Sequence, residues 1–279
     1  MPGRQVYQPA GVAPVSDNCP LSDLLESLLP VARKAGEVVM SVYATDFSVH
    51  DKDDASPVTE ADERAEAVIL AGLAALAPGI PVVAEEAVAA GRIPAIARRF
   101  WLVDPLDGTR EFIKRNGEFT VNIALVEDGR PLLGVVFAPA LDRLYAGTVG
   151  VGAFIEDAYG RHAIHCRVPP AEGLTVVASR SHGDATALDT FLAGRKVAKL
   201  ASAGSSLKLC LIAAGEADLY PRLGRTMEWD IAAGHAVLAA AGGRVTRLDG
   251  NPLAYAKPGF ENPHFAAWGF GEGTEHSAR

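Results

Sequence analysis

The sequence predicts an α+β half followed by an α/β half, with the break near residues 160–172. Three observations predict it. Apolar positions recur at helical spacing from Leu21 to Val42 and again from Ala65 to Leu76. Short apolar runs separated by turn residues then follow closely between Pro81 and Ile155, as in a meander. After Pro169-Pro170, strand-like and helix-like runs alternate, the texture of helices packed on a sheet.

Each element has its own signal. Leu21, Leu24, Leu25, Leu28, Ala32, Ala35, Val39 and Val42 share one face of a first helix. Pro30, which has no N–H, is expected to kink that helix or start it afresh. A second helix begins near Thr59, turns Ala65, Val68, Ile69, Leu73 and Leu76 inward, and stops at Pro78-Gly79. Strands are expected at Pro81–Ala84, running into Glu85-Glu86, and at Phe100–Val103, running into Asp104. Thr120–Val126 and Leu132–Phe137 read as a hairpin about Glu127-Asp128-Gly129-Arg130, extended by Leu144–Thr148 and Gly152–Ile155. Beyond the break, strands at Leu174–Ala178, Val197–Ala201, Ala217–Tyr220 and Gly243–Leu248 alternate with helices at Ala185–Ala193, Ser206–Ala214 and Ile231–Ala241. The expected organisation is a metal-binding lobe over residues 21–165 and a lobe over 166–279 that completes the active site. Residues 1–20, with four prolines and no apolar run of a signal peptide, read as a disordered tail.

Composition narrows the function. In 279 residues, 49% are hydrophobic and 22% charged, enough apolar material for a large core and too much for a disordered or fibrous chain. A net charge of −8 without blocks of Lys and Arg excludes the counterion-releasing surface that nucleic-acid polymers require. Phosphate binding would then need local means, such as cations or helix termini. Cys19, Cys166 and Cys210 stand at no metal-site spacing, so neither a disulfide framework nor a zinc site is expected, and a reducing cytoplasm is. No apolar run approaches the length of a membrane span.

The densest chemical signal is Trp101-Leu102-Val103-Asp104-Pro105-Leu106-Asp107-Gly108-Thr109. An apolar strand ends in one carboxylate, Pro105 is expected to force a turn, and a second carboxylate follows just before Gly-Thr. Two acids so placed can aim at one spot beyond the strand end, and the Leu106 carbonyl adds a third oxygen. Hard divalent cations such as Mg²⁺ take such ligands and keep waters for substrate. Gly108 and Thr109 open a segment whose backbone N–H groups can receive a phosphate. Read singly, Asp107-Gly108 is equally an ordinary turn, Glu85-Glu86 a solvated turn, and Asp230 after Trp229 a helix N-cap. Together they deliver carboxylates from three segments. Thr59-Glu60-Ala61-Asp62 matches a capping box, and Asp62 is also a candidate, with the Thr109 hydroxyl, for orienting an attacking water. Covalent catalysis is disfavoured. Pro105 stands two before Asp107 where an aspartyl nucleophile would be, and Lys208 closes Gly204-Ser205-Ser206-Leu207-Lys208 where a nucleophile elbow needs glycine.

Ser56-Pro57-Val58-Thr59-Glu60-Ala61-Asp62, Glu85-Glu86, Asp104-Pro105-Leu106-Asp107-Gly108-Thr109 and Trp229-Asp230 together resemble the inositol monophosphatase superfamily of Mg²⁺-dependent, lithium-sensitive phosphatases, in the family's order from about Leu21 to Trp268. The segment from Arg110 to Phe119, Ser179-Arg180-Ser181-His182, Gly204 to Lys208 and Leu219-Tyr220-Pro221-Arg222 resemble its 3′(2′),5′-bisphosphate nucleotidase branch. Ala84 departs from the glycine that often precedes the Glu pair. The resemblance implies a layered αβαβα sandwich of the inositol monophosphatase and fructose-1,6-bisphosphatase type. It implies removal of the 3′-phosphate from 3′-phosphoadenosine 5′-phosphate, giving AMP and phosphate, action on the sulfated relative of that nucleotide, and a place in sulfur metabolism. An inositol or sugar monophosphatase with the same metal core is the alternative. Carried over by motif, Glu85, Asp104, the Leu106 carbonyl, Asp107 and Asp230 would hold two or three Mg²⁺ ions. Asp62 and Thr109, with Glu85, would position the water, and Asp107, Gly108, Thr109 and Asp230 would meet the scissile phosphate. His182, Ser205, Lys208 and Arg222 would hold the nucleotide and its second phosphate. By chemistry alone, Lys208 and Arg222 read equally as solvated surface bases and His182 as a surface histidine. The resemblance also leaves room for a homodimer and for peripheral association with the cytoplasmic face of the inner membrane.

Overall fold

The computed structural model describes residues 20–51, 57–179 and 185–270. Residues 1–19 of the expected N-terminal tail, Ser56 and Arg180-Ser181-His182 lie outside the described residues. In chain order the elements are α1 (Leu21–Tyr43), β1 (Val49–Asp51), β2 (Pro57–Thr59), α2 (Glu60–Leu76), β3 (Val82–Ala84), α3 (Glu85–Ala89), β4 (Arg99–Asp107), α4 (Thr109–Ile113), β5 (Thr120–Glu127), β6 (Arg130–Ala138), β7 (Arg143–Thr148), β8 (Gly152–Asp157) and β9 (Gly160–Ile164). There follow β10 (Leu174–Ser179), α5 (Ala185–Leu192), β11 (Val197–Ala203), α6 (Leu207–Ala213), β12 (Leu219–Arg222), α7 (Glu228–Ala240), β13 (Arg244–Arg247) and β14 (Phe265–Trp268).

Two sheets carry the fold. The larger has seven strands in the order β3-β4-β5-β6-β7-β8-β9, antiparallel apart from the parallel β3–β4 pair. The smaller has five in the order β11-β10-β12-β14-β13, with β10 parallel to both of its neighbours. Strand alternation assigns the layers, because successive side chains point to opposite faces. In β4, Trp101 and Val103 join Leu28 of α1 and Ile69 of α2 in one core, whereas Phe100 and Leu102 join Ala233 and Val237 of α7 in another. That second core also takes Leu209 of α6 together with Tyr220, Phe265 and Ala267 of the smaller sheet, so α6 and α7 lie between the sheets. Leu174, Val176 and Leu219 on the far face of the smaller sheet pack with Phe191 and Leu192 of α5. The sequence of layers is therefore α1/α2, seven strands, α6/α7, five strands, α5: an αβαβα sandwich.

The β5–β6 hairpin turns on Asp128-Gly129, with positive φ at both residues (49° and 72°), the geometry that matches strand twist. Other expectations need correction. Helix α1 runs on through Pro30 as one 23-residue element. Pro30 lies on the exposed side of that helix, which does not start afresh there. Pro105 does not end its strand in a turn: β4 continues to Asp107, with the register to β5 shifting between Asp104 and Asp107. A bulge absorbs the missing N–H and re-aims the side chains. Strand β12 lies two residues later than expected and contains Pro221, which pairs with Ala266 of β14 beyond the single β10 register at Leu219. Strands β9 and β14 and the short helices α3 and α4 are additions to the sequence reading.

Candidate active site

The site forms where β3 and β4 end and α7 begins. By alternation with Phe100 and Leu102, Asp104 falls on the α7 face of the sheet and is 2% exposed. Its Oδ1 accepts the Leu106 N–H at 3.0 Å across the bulge. Glu85 is the first residue of α3, at the point where parallel β3 delivers its chain beside β4. Asp230 is the third residue of α7, and its Oδ2 accepts the Met227 N–H at 2.8 Å. It therefore closes the first turn from within the helix and is not the N-cap itself. Glu85, Asp104 and Asp230 each offer one carboxylate oxygen such that all three lie within 4.8 Å of one another. This is a set of hard oxygen donors on three separate segments, and it fits a divalent cation that keeps open positions.

Asp107 stands beside this group and outside it. Its Oδ2 accepts the Ser206 N–H at 2.6 Å and the Asn122 amide at 3.3 Å. Burial, opposed by the Lys208 ammonium, pushes its carboxyl up to about 6. Burial and the negative charges of Asp107 and Glu85 raise Asp230 well above the ordinary carboxylate range. Convergent carboxylates repel one another, and a cation is the counter-charge that relieves them. Gly108 carries φ 90° before α4, a left-handed conformation that favours glycine.

Asp62 closes the capping box with one oxygen and meets the Thr109 hydroxyl with the other. Oδ2 accepts the Thr59 N–H and the Thr59 hydroxyl, each at 2.8 Å, which closes the capping box of α2. The Thr109 hydroxyl stands 3.3 Å from the other oxygen, Oδ1, and 3.2 Å from the Leu106 carbonyl oxygen. A hydroxyl has one proton and two lone pairs, so Thr109 can donate to Asp62 and accept from a water.

A cleft of about 370 Å³ opens beside the carboxylates, lined by Gly108, Thr109, Ser205, Lys208, Tyr220 and Arg222 among others. Lys208 and Arg222 are not solvated surface bases: they are 4% and 8% exposed. Lys208 donates to the carbonyls of Ala203 (3.2 Å) and Ser205 (2.5 Å) and lies 5.2 Å from the centre of the Tyr220 ring. Burial lowers its ammonium to about 8, with Asp107 opposing. The Arg222 guanidinium donates to the carbonyls of Gly224 and Arg225. Ser205, which lines the cleft, has φ 44°, in the left-handed region. His182 lies outside the described residues.

The sequence reading missed the groups that aim these side chains. Ser206 Oγ bonds Asn122 Oδ1 at 2.8 Å and Thr120 Oγ1 at 2.9 Å, and Glu118 accepts the Gly204 N–H at 2.8 Å. Glu111, 7% exposed, also lines the cleft. A signal existed in β5: Thr120 and Asn122 are polar residues on alternate positions of an apolar strand, and such groups require partners when buried.

The model of the inositol monophosphatase family matches residues 21–274. The chain is 49% identical over 245 residues to the 3′(2′),5′-bisphosphate nucleotidase CysQ of Shigella flexneri, spanning 87% of this chain and 98% of that one. Among solved structures it is similar to CysQ from Bacteroides thetaiotaomicron, described as a bacterial member of the inositol monophosphatase family, with TM-score 0.75 and 38% identity over 89% of this chain and 97% of that one. The IMPase of Thermotoga maritima is similar at TM-score 0.73 and 27% identity, covering 88% and 92% of the two chains.

Proposed function

The chain belongs to the inositol monophosphatase family, and from that membership and its carboxylate cage we propose a Mg²⁺-dependent 3′(2′),5′-bisphosphate nucleotidase. It removes the 3′-phosphate from 3′-phosphoadenosine 5′-phosphate and releases AMP and phosphate. The observation that carries this reading is the convergence of Glu85, Asp104 and Asp230 within 4.8 Å, beside a cleft holding two buried cationic side chains.

Glu85, Asp104, the Leu106 carbonyl and Asp230 would hold two or three Mg²⁺ ions, with Asp107 alongside. When bound, such ions offset the charge of a phosphate monoester and lower the pKa of water. Thr109 accepts a hydrogen bond from the attacking water and donates its own proton to Asp62 Oδ1, which fixes the direction of the water's lone pair. Gly108 and Thr109 turn backbone N–H groups toward the scissile phosphate. Lys208 and Arg222 supply fixed positive charge for the second phosphate, which a sugar monophosphate lacks. Ser205 and His182 complete the nucleotide subsite. Among the described residues no helix is long and apolar enough to cross a membrane, and cysteines without a pairing pattern support a cytoplasmic protein.

Phosphate release from 3′-phosphoadenosine 5′-phosphate and from inositol monophosphate, each with Mg²⁺ and with chelator, tests the assignment. The expected outcome is metal-dependent turnover with kcat/KM at least about tenfold higher for the nucleotide, the worth of one good charged contact. Preference for inositol phosphate would replace the substrate, and chelator-resistant turnover would remove the metal.

A further inference from the structure

We infer that Glu66 is a positioning residue for the cation cage: from α2 it caps the first turn of α3 and so holds Glu85 against Asp104 and Asp230. The inference rests on the cation-dependent reading proposed above. The helix that presents Glu85 has only five residues, so almost all of its N–H groups fall in the first turn and have no partner within it. An isolated helix of that length has no stability of its own. Its N-cap position is Ala84, whose side chain carries no acceptor.

The missing acceptor comes from another helix. Glu66 Oε2 accepts the Glu86 N–H at 2.8 Å, and Glu66 is only 4% exposed. Glu66 follows Asp62 by four residues, so both carboxylates project from one face of α2, a turn apart. Asp62 reaches Thr109 and Glu66 reaches α3, which makes one helix the reference for two parts of the site. Glu66 is not in the group whose oxygens converge within 4.8 Å. Its bond to the residue after Glu85 gives it a different task. Three like charges brought together push their carriers apart. Glu85 sits on the shortest of those carriers, since Asp104 is on a nine-residue strand and Asp230 on a 13-residue helix. A tether on α3 therefore has most to do with keeping the cage closed.

Two readouts test this. In the first, Mg²⁺ is titrated calorimetrically into the substrate-free full chain, as wild type, Glu66→Gln and Glu66→Met. Gln keeps an acceptor oxygen, and Met keeps the length without one. The expected result is Mg²⁺ affinity reduced about tenfold in Glu66→Met and within about threefold of wild type in Glu66→Gln, the scale on which groups that orient ligands act. A Glu66→Met protein of lower Tm with wild-type Mg²⁺ affinity would overturn the inference and leave a packing role. In the second, which needs no variant, amide exchange is followed in metal-free wild type. The Glu86 amide should exchange slowly, and exchange at the unprotected rate would remove the cap. Wild type that takes up no Mg²⁺ would refute the cation-dependent reading on which the inference stands, whatever the amide shows.

Discussion

Asp62 serves two segments with its two oxygens, Thr59 through Oδ2 and Thr109, 47 residues further along the chain than Asp62, through Oδ1. These functions separate by substitution. Asp62→Asn keeps the shape but leaves a carboxamide where the Thr109 proton should go. Its kcat is expected to fall about 100-fold in steady-state assays, the ordinary worth of one proton-accepting group. Asp62→Ala also breaks the capping box, so it should in addition lose about 1 kcal/mol in urea unfolding. Wild-type turnover by Asp62→Asn would refute the water-orienting role. The sequence made the helix start legible because a capping box is contained in four consecutive residues. It made Glu85 and Asp104 legible because each follows an apolar run, and Asp230 because an apolar helix follows it. The aim of Asp107 was hidden, since the Ser206 N–H that fixes it lies 99 positions away. Lys208 and Arg222 read equally as surface bases and as phosphate ligands, because their burial is a property of the folded chain and not of a local stretch of sequence.

Among elements, α7 links the site to the core. It is apolar on nearly every side because sheets flank it on both, and it lies close enough to β6 that Gly134 has no room for a methyl. A Cβ at Gly134 would stand 2.4 Å from the Ala233 carbonyl oxygen and 2.8 Å from its Cα, which are backbone atoms that move only with the helix. Gly134→Ala should therefore destabilise the protein by about 1–3 kcal/mol in urea unfolding, the usual range for overpacking. It should also lower kcat, because Asp230 travels with α7. Gly79→Ala, where nothing lies within 4 Å, is the control expected to leave both unchanged. Wild-type stability of Gly134→Ala would refute the tight helix–sheet contact. Elements with a clean period, such as α1, α2 and the β5–β6 hairpin, were legible from sequence. Strand β14 was not: Phe265 to Trp268 is a short apolar run between Pro263 and Gly269, and only pairing with β12 and β13 makes it the link between them.

On the scale of the whole molecule, enclosing α7 between two sheets makes stability depend on acid through one histidine. His235, 8% exposed, has Nδ1 2.8 Å from the Tyr255 hydroxyl, and burial lowers its imidazole from 6.5 to about 4. Unfolding returns it to water and to its ordinary value. Between pH 6.5 and 4 the unfolded chain therefore binds a proton that the folded chain refuses, and stability falls as the pH falls. The full effect is present above 6.5 and gone below 4, about 3 kcal/mol at 1.36 kcal/mol per pH unit. Asp107 acts in the opposite sense. With its carboxyl raised to about 6, the folded chain binds the extra proton between pH 6 and 3.8, so acid favours folding there. Asp230 and Glu66, also raised by burial, act in the same sense as Asp107, so raw acid curves mix all of these and the histidine must be isolated by difference. Urea unfolding of wild type and His235→Gln from pH 7.5 to pH 4 does this, because the carboxylates are common to both. The wild-type advantage over the variant should shrink by about 3 kcal/mol across that interval and level off at its acid end. A difference that stays constant with pH would mean that His235 titrates alike in both states, and that the space between the sheets is open to water.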